Sequence, residues 1–394
     1  MKKTLVFLLL FIFTINSALS VISYAEAKTK TNDYELTDAD FSVNANSAIL
    51  MEAETGTVLF SQNENAAASP ASVTKIMTLL LVMEAIEDGR ISLSDITSIS
   101  SHAASMGGSQ VFLREGERMS VEDLIKCTVI ASANDAAVAL AELVYGSEES
   151  FVKNMNTKAL ELGLKNTNFE NVTGLDDTVT NHVSSALDIA IMSRELIKHP
   201  LITKYSSCWQ DTIRNGEFTL TNTNRLVRFY DGCNGLKTGS TDKAGFCIST
   251  TAMRGNLQLI AVVMGAETRD VRNEIARNLL DFGFSNFALF SQEEKELGTI
   301  PIMRGTEDNL SIYMEKFSTV INKADSKSIA SVYEIPDSVE APINKGNVIG
   351  KVRFEVKGKI LGTCDVLANQ DVERINFFGI FEKLLKTVIM GKNN

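Results

Sequence analysis

Apolar and polar positions along this chain fall into blocks whose period changes several times. After a polar stretch ending near residue 46, Ala48-Ile49-Leu50-Met51 and Val58-Leu59-Phe60 are short apolar runs joined through Glu54-Thr55-Gly56, the pattern of a β-hairpin. Polar residues 62–71 lead into an apolar helical run from Ser72 to about Asp88, stopped by Gly89. A second helical pattern runs from Val121 to Ile130, breaks at Ser132-Ala133-Asn134-Asp135, and resumes from Ala136 to Tyr145 before Gly146. Further helices fit Glu149 to Leu162 and Ser185 to Lys198, the latter ended by His199-Pro200. Gly245–Met253 and Leu257–Met264 are β-rich and flank Arg254-Gly255-Asn256, a hairpin turn, and Thr268 to Phe282 is helical again. Strands at both ends of this region with helices between them predict an α+β domain over residues 47–290.

Beyond about Glu293 the pattern changes. Val352 to Val356 alternates with period two, Lys357-Gly358-Lys359 makes a turn, and Ile360 onward is strand-like, which predicts a small all-β domain over residues 293–370. Residues 371–394 then form an amphipathic segment. On a helical wheel Phe377, Phe378, Ile380, Phe381, Leu384, Leu385, Val388 and Ile389 share one half, with Asn376, Glu382, Lys383, Lys386 and Thr387 opposite. A wide aromatic-rich face with lysines behind it suits the plane of a bilayer interface, the alternative being a helix docked on its own domain.

At the other end, Lys2-Lys3 precedes nine consecutive apolar residues, Leu5 to Phe13, and then small and polar residues around Ser23-Tyr24-Ala25. This is the layout of a signal peptide over residues 1–25, with cleavage near Ala25 favoured over an uncleaved anchor because the apolar run is well short of the ~20 residues that span a bilayer. Residues 26–46 read as a flexible leader. Removal of Lys2 and Lys3 takes the net charge from -11 to -13, so the exported body is acidic. Export gives meaning to the cysteines, which number five without short paired spacing: Cys127, Cys208, Cys233, Cys247 and Cys364. Buried thiols are expected, with Cys233 and Cys247 the one pair close enough in sequence to test for a disulfide.

Composition removes several chemistries. An acidic chain without a Lys/Arg block interleaved with aromatics is a poor partner for nucleic acid. Three scattered histidines (His102, His182, His199) and no HExxH, CxxC, GxGxxG or GxxxxGK[ST] pattern leave zinc, dithiol and nucleotide chemistry unsupported, so no metal or cofactor is expected. A serine nucleophile would then take its base from lysine rather than histidine.

Ser72-Val73-Thr74-Lys75 offers that pair, one turn apart on one face, with the Ser72 N–H among the free donors of a helix start. The same spacing occurs at Ser150/Lys153 and Ser240/Lys243, but only Ser72 opens a helix whose next turns are apolar. Burial matters because a lysine of ordinary pKa ~10.4 acts near neutral pH only when desolvation and a nearby positive charge lower it. Ser132-Ala133-Asn134 in the helix break and Lys237-Thr238-Gly239, the only KTG in the chain, complete a set. Ser132 would relay a proton, Asn134 would hold Lys75 and a substrate amide, and Lys237 would supply positive charge. The three motifs in this order are associated with penicillin-binding proteins and class A β-lactamases.

With these residues the chain resembles the low-molecular-mass penicillin-binding proteins that are serine D-alanyl-D-alanine carboxypeptidases. The resemblance extends to Met106–Leu113, Asn222–Leu226, Ala266–Arg272, the β-rich tail and the terminal amphipathic helix. It implies a DD-peptidase/β-lactamase-like α+β fold, an antiparallel sheet with helices. It also implies release of the terminal D-Ala from peptidoglycan stem peptides ending in D-Ala-D-Ala through an acyl-enzyme on Ser72, and covalent inhibition by β-lactam antibiotics. Lys75 would be the general base. The N–H groups of Ser72 and Ser240 would form the oxyanion hole, and Thr238 with Arg272 would receive the substrate carboxylate. Some members carry histidine where this chain has Ser240; a backbone donor is indifferent to that change, and any effect falls on substrate preference. His182 and His199 read as structural, and His102 has no assigned partner. The enzyme would work at the outer face of the cytoplasmic membrane as a peripheral protein in cell-wall biogenesis.

Two other functions share these features. A class A β-lactamase would use a glutamate to deacylate quickly, but no Glu-x-x-Leu-Asn lies between Asn134 and Lys237, and Ser-x-Asn here is not Ser-Asp-Asn. A non-catalytic peptidoglycan-binding protein would not be expected to keep Ser72, Lys75, Ser132, Asn134 and Lys237 all intact.

Overall fold

A computed structural model of the chain describes residues 33–390, so the signal peptide expected at 1–25 lies outside the described residues. They divide into two compact units. One is built from residues 35–299 and 311–328, the other from 300–310 and 329–390 together with 33–34.

The first unit is built on a five-stranded sheet of β1 (Ser47–Glu52), β2 (Val58–Gln62), β3 (Cys233–Thr241), β4 (Gly245–Arg254) and β5 (Leu257–Ala266). Its order is β2-β1-β5-β4-β3 and every neighbouring pair is antiparallel. The two hairpins expected from the apolar runs are therefore present, and β5 joins them by pairing with β1.

Seven helices matter here: α1 (Lys75–Glu87), α2 (Val121–Ile130), α3 (Asn134–Tyr145), α4 (Glu148–Glu161), α5 (Ala186–Leu196), α6 (Arg269–Asn286) and α7 (Phe377–Met390). Several start where a hydroxyl takes up a free N–H: Ser120 accepts from Asp123, Ser185 from Asp188 and Thr268 from Val271. Strand alternation splits the core in two. Ala48 and Leu50 of β1 with Leu259, Ala261 and Val263 of β5 face α6, where Leu279 and Leu280 bury against them. Ile49, Met51, Ile260, Val262 and Met264 point to the other face and pack with α1, α2, α3 and α5. The helix α1 is apolar all round, with Ile76, Met77, Leu79, Leu80, Leu81 and Val82 all buried, so its first residue is buried too.

Two boundaries differ from expectation. The polar segment read as a flexible leader is packed in its later part: Phe41 stacks on Phe60 at 5.0 Å and meets Phe282 edge-on, and the Gln62 amide bonds Val43 and Ala45. Sequence polarity hid this because one aromatic and one glutamine suffice. The boundary near 290 is also less simple, since β6 (Phe287–Gln292) pairs antiparallel with β7 (Phe317–Asn322) inside the first unit.

In the second unit β8 (Ile329–Glu334), β9 (Val348–Val356) and β10 (Lys359–Ala368) form an antiparallel meander turning at Lys357-Gly358. The all-β tail was thus legible from its period. Helix α7 ends this unit with its apolar face bare: Phe377, Phe378, Phe381, Leu384, Val388 and Ile389 are all exposed. No helix among the described residues is long and apolar enough to cross a membrane. All five cysteines are free thiols, so the Cys233/Cys247 disulfide is absent.

Leu279 is fully buried between α6 and the sheet. Leu279→Ala is expected to destabilise the chain by about 2–5 kcal/mol, read as a lower urea midpoint.

Candidate active site

Ser72 does not sit in α1. It lies in a single 3-10 turn, Ala71–Thr74, that feeds the helix, with Lys75 as the first α-helical residue. The two still share a face, and the Lys75 amine lies 3.0 Å from Ser72 Oγ. Two further contacts surround that amine: Asn134 Oδ1 at 2.6 Å and the Thr173 carbonyl at 2.8 Å. Carbonyl oxygens only accept, so both hydrogens of a neutral amine are used there, leaving its lone pair toward the one partner that can donate, the Ser72 hydroxyl. Lys75 is wholly buried, and its pKa is held well below the ordinary lysine value, first by desolvation and then by the charge of Lys237.

Each partner of Lys75 is itself fixed. Between α2 and α3 the chain turns through Ser132 at φ 62, a strained conformation for a residue with a Cβ, which brings Ser132 and Asn134 to one cleft. Asn134 donates through Nδ2 to the Gly107 carbonyl at 2.7 Å, and its own N–H bonds Ser109 O, so its oxygen must face Lys75. One Nδ2 hydrogen is thereby committed and one remains for a substrate amide. The stretch Met106–Leu113 is held in turn by buried Asp135, whose carboxylate accepts from the N–H groups of Val111 and Leu113.

Thr173 belongs to a loop that sequence reasoning passed over. Asn171 Oδ1 accepts from the N–H groups of Thr173 and Gly174, turning the Thr173 carbonyl inward. Gly174 has φ 83, and a Cβ there would lie 1.8 Å from the Ala71 carbonyl, so only glycine lets this loop reach the serine's turn. His182, read as structural, proves to brace the same turn. Its Nδ1 accepts from the Glu170 N–H, so its Nε2–H donates to Thr74 Oγ1 at 2.8 Å, and burial lowers its pKa to about 4. His199 pairs with Glu87, and His102, left without a partner, pairs with Glu148. A carbonyl and a glycine contact leave no side-chain signature, which is why neither could be found from motifs.

Lys237 reaches the cleft from β3, donating to Ser132 Oγ at 2.8 Å and to the Thr238 carbonyl at 2.9 Å. Desolvation, with the nearby Arg272 charge, lowers its pKa to about 7. Gly239 explains the closeness of this edge strand to the serine: a Cβ there would stand 2.8 Å from the Ser72 nitrogen. Ser72, Ser132, Thr238, Ser240 and Arg272 line one cavity of about 450 Å³, while Lys75, Asn134 and Lys237 are buried behind it. All eight residues singled out from the sequence therefore meet at one place. Asn222 and Asn224, from the resemblance, are structural: their amides bond the carbonyls of Ser206, Cys208 and Gly235.

A serine, two buried lysines and a Ser-x-Asn turn at the edge of an antiparallel sheet define a serine-acylating peptidase class. Comparison with known proteins agrees. Residues 32–268 match the family described as D-alanyl-D-alanine carboxypeptidase, and residues 284–374 match the penicillin-binding protein 5 C-terminal domain. The D-alanyl-D-alanine carboxypeptidase DacF of Bacillus subtilis (strain 168) is 39% identical over 98% of both chains. Penicillin binding protein 5 from Haemophilus influenzae has a similar structure, with TM-score 0.77 and 32% identity over 86% of this chain and all of that one. Penicillin-Binding Protein D2 from Listeria monocytogenes, solved in its ampicillin-bound form, matches with TM-score 0.58 and 32% identity over 63% of this chain and 100% of its own. The chain belongs to the D-alanyl-D-alanine carboxypeptidase family. It is a low-molecular-mass penicillin-binding protein, a serine-type carboxypeptidase of the cell wall.

If the Lys237 charge is the second cause of the Lys75 shift, Lys237→Met should raise the Lys75 pKa while leaving it below the ordinary lysine value. Isotope-labelled lysine NMR across a pH titration measures this, and an unmoved Lys75 resonance would show burial acting alone.

Proposed function

We propose that Ser72 is the nucleophile and Lys75 its general base, an assignment supported above all by the two carbonyls that consume the hydrogens of the neutral Lys75 amine. The Ser72 oxygen attacks the carbonyl carbon of the penultimate D-Ala as its proton passes to Lys75. The N–H groups of Ser72 and Ser240 hold the oxyanion. When the C–N bond breaks, the proton returns to the leaving nitrogen through Ser132, which is hydrogen-bonded to Lys237. Terminal D-Ala departs, and water then attacks the acyl-enzyme to regenerate the serine.

Thr238 and Arg272 receive the terminal carboxylate, and Asn134 uses its remaining N–H on the substrate amide. In the 166–185 loop, Glu170 already accepts from the N–H groups of Thr180 and Asn181, and Asp176 accepts from the hydroxyls of Ser69 and Thr241. Neither is disposed as the dedicated deacylating base of a β-lactamase, which favours slow hydrolysis of a penicilloyl-enzyme over rapid turnover of the drug. The ampicillin-bound Listeria relative is consistent with such trapping.

The chain acts outside the cytoplasm after export, held at the membrane surface by the apolar face of α7. That helix is tied at its polar side, where Lys383 bonds Asp308 at 2.7 Å, so the aromatic face points away from the tie.

Wild-type protein should release D-Ala from a pentapeptide ending in D-Ala-D-Ala, with release lost in Lys75→Ala, and a labelled penicillin should attach to wild type but not to Ser72→Ala. Labelling of a folded Ser72→Ala protein would refute the nucleophile, and fast drug turnover would restore the β-lactamase reading. Separately, deletion of residues 377–394 should move the protein from the membrane pellet to the soluble fraction; a truncated protein that still pellets would remove α7 as the anchor.

A further inference from the structure

The cavity in front of Ser72 contains more positive charge than the terminal carboxylate of the substrate requires. Besides Arg272 it is lined by Arg225 and Arg269, and no aspartate or glutamate is among the described residues lining it. This contrasts with a chain of net charge -11. Arg272 is buried, and three of its five N–H groups are committed: Nε and Nη2 to Asn273 Oδ1 at 3.1 and 2.9 Å, and Nη1 to the Cys247 carbonyl at 3.3 Å. Two hydrogens remain, one on each terminal nitrogen, which is what a single carboxylate needs.

Arg225 and Arg269 differ from it. Both are exposed, and among the described residues neither forms an ion pair. Asp270 and Glu274 line the neighbouring depression with Arg225 without closing on a guanidinium. Arg269 precedes Arg272 by one turn of α6, and Arg225 follows the buried Asn224 anchor, so both guanidiniums are carried by fixed backbone beside the carboxylate end of the cleft. Their charges act on Arg272, lowering its pKa to about 10 together with desolvation, the larger cause. Asp270 acts on Arg272 in the opposite sense, but no acid lines the cavity itself among the described residues, so the three cations there present a site with affinity for anions.

We propose that Arg225 and Arg269 form a second anion subsite on the leaving-group side of the cleft, which selects substrates whose C-terminal D-residue carries an acidic side chain. In such a peptide Arg272 and Thr238 take the terminal carboxylate, and Arg225 with Arg269 take the side-chain carboxylate one or two carbons away. The bond cleaved is the same, and a dicarboxylic D-amino acid leaves in place of D-Ala. The inference rests on the Ser72 and Arg272 assignments made under the proposed function.

The test compares pentapeptides ending in D-Ala-D-Glu and D-Ala-D-Gln, which match in size and differ in one charge. Wild-type protein should cleave the D-Glu peptide with kcat/KM about five- to tenfold above the D-Gln peptide, the difference lying in KM and shrinking at high salt. In a chain carrying both Arg225→Gln and Arg269→Gln the ratio should fall to about one. Because the readout is a ratio within one protein, a general loss of activity does not imitate it. A wild-type ratio of one or less, or a preference that survives both substitutions, overturns the subsite. The same holds if D-Glu is not released by a protein that does release D-Ala from D-Ala-D-Ala. If D-Ala itself is not released, the Ser72 reading falls and takes the subsite with it.

Discussion

A lysine amine with no access to water and two carbonyls fixed upon it organises this protein. Desolvation disfavours the charged form, and the carbonyls leave the neutral form one orientation, with its lone pair on Ser72. Most local features around the cleft serve that geometry. The apolar walls of α1 bury the amine, Ser132 takes a strained turn so that Asn134 can reach it, and the Gly107 carbonyl and Asp135 fix which way Asn134 faces. Gly174 and Gly239 remove side chains so that a loop and a strand can close on the serine's turn from opposite directions. A lysine held in this way needs no histidine beside its amine, and the three in the chain pair with Thr74, Glu148 and Glu87.

The electrostatic layout follows from the same constraint. The charge of Lys237 adds to desolvation in lowering Lys75, and Lys237 is itself pushed down to about 7 by burial and by Arg272. Positive groups thus stand in series from Lys75 to the mouth of the cavity, whose lining holds no acid among the described residues, while buried Asp135 acts on Lys75 in the opposite sense. An anion entering the cavity is drawn to the end of the series, at Arg272. In the 166–185 loop Glu170 and Asp176 are occupied by backbone and hydroxyl donors, and the loop's contribution to Lys75 is the Thr173 carbonyl.

Much of the molecule is legible in its local sequence patterns. The hairpins at 48–60 and 245–264, the helix break at 132–135, the period-two tail and the bare face of α7 all came from local patterns, because burial on one side imposes a period on neighbouring residues. The misreadings have equally physical origins. Phe41 and Gln62 pin a polar segment that its composition marks as loose. Ser72 lies in a 3-10 turn rather than in the helix, a distinction that residue type does not encode. Strand β7 returns to pair with β6 across a long sequence gap, and long-range pairing has no local signal.

The sequence by itself determined the side chains of the candidate site: Ser72, Lys75, Ser132, Asn134 and Lys237 are residues whose types and order match the serine-lysine motif set. Their convergence and their protonation were decided only by the tertiary structure. Lys75 receives its second carbonyl from the backbone of Thr173, and the approach of β3 depends on the missing side chain of Gly239. Backbone groups are the same in every residue, so a sequence names who can react, and only packing sets which carbonyl faces which amine and how little water remains between them.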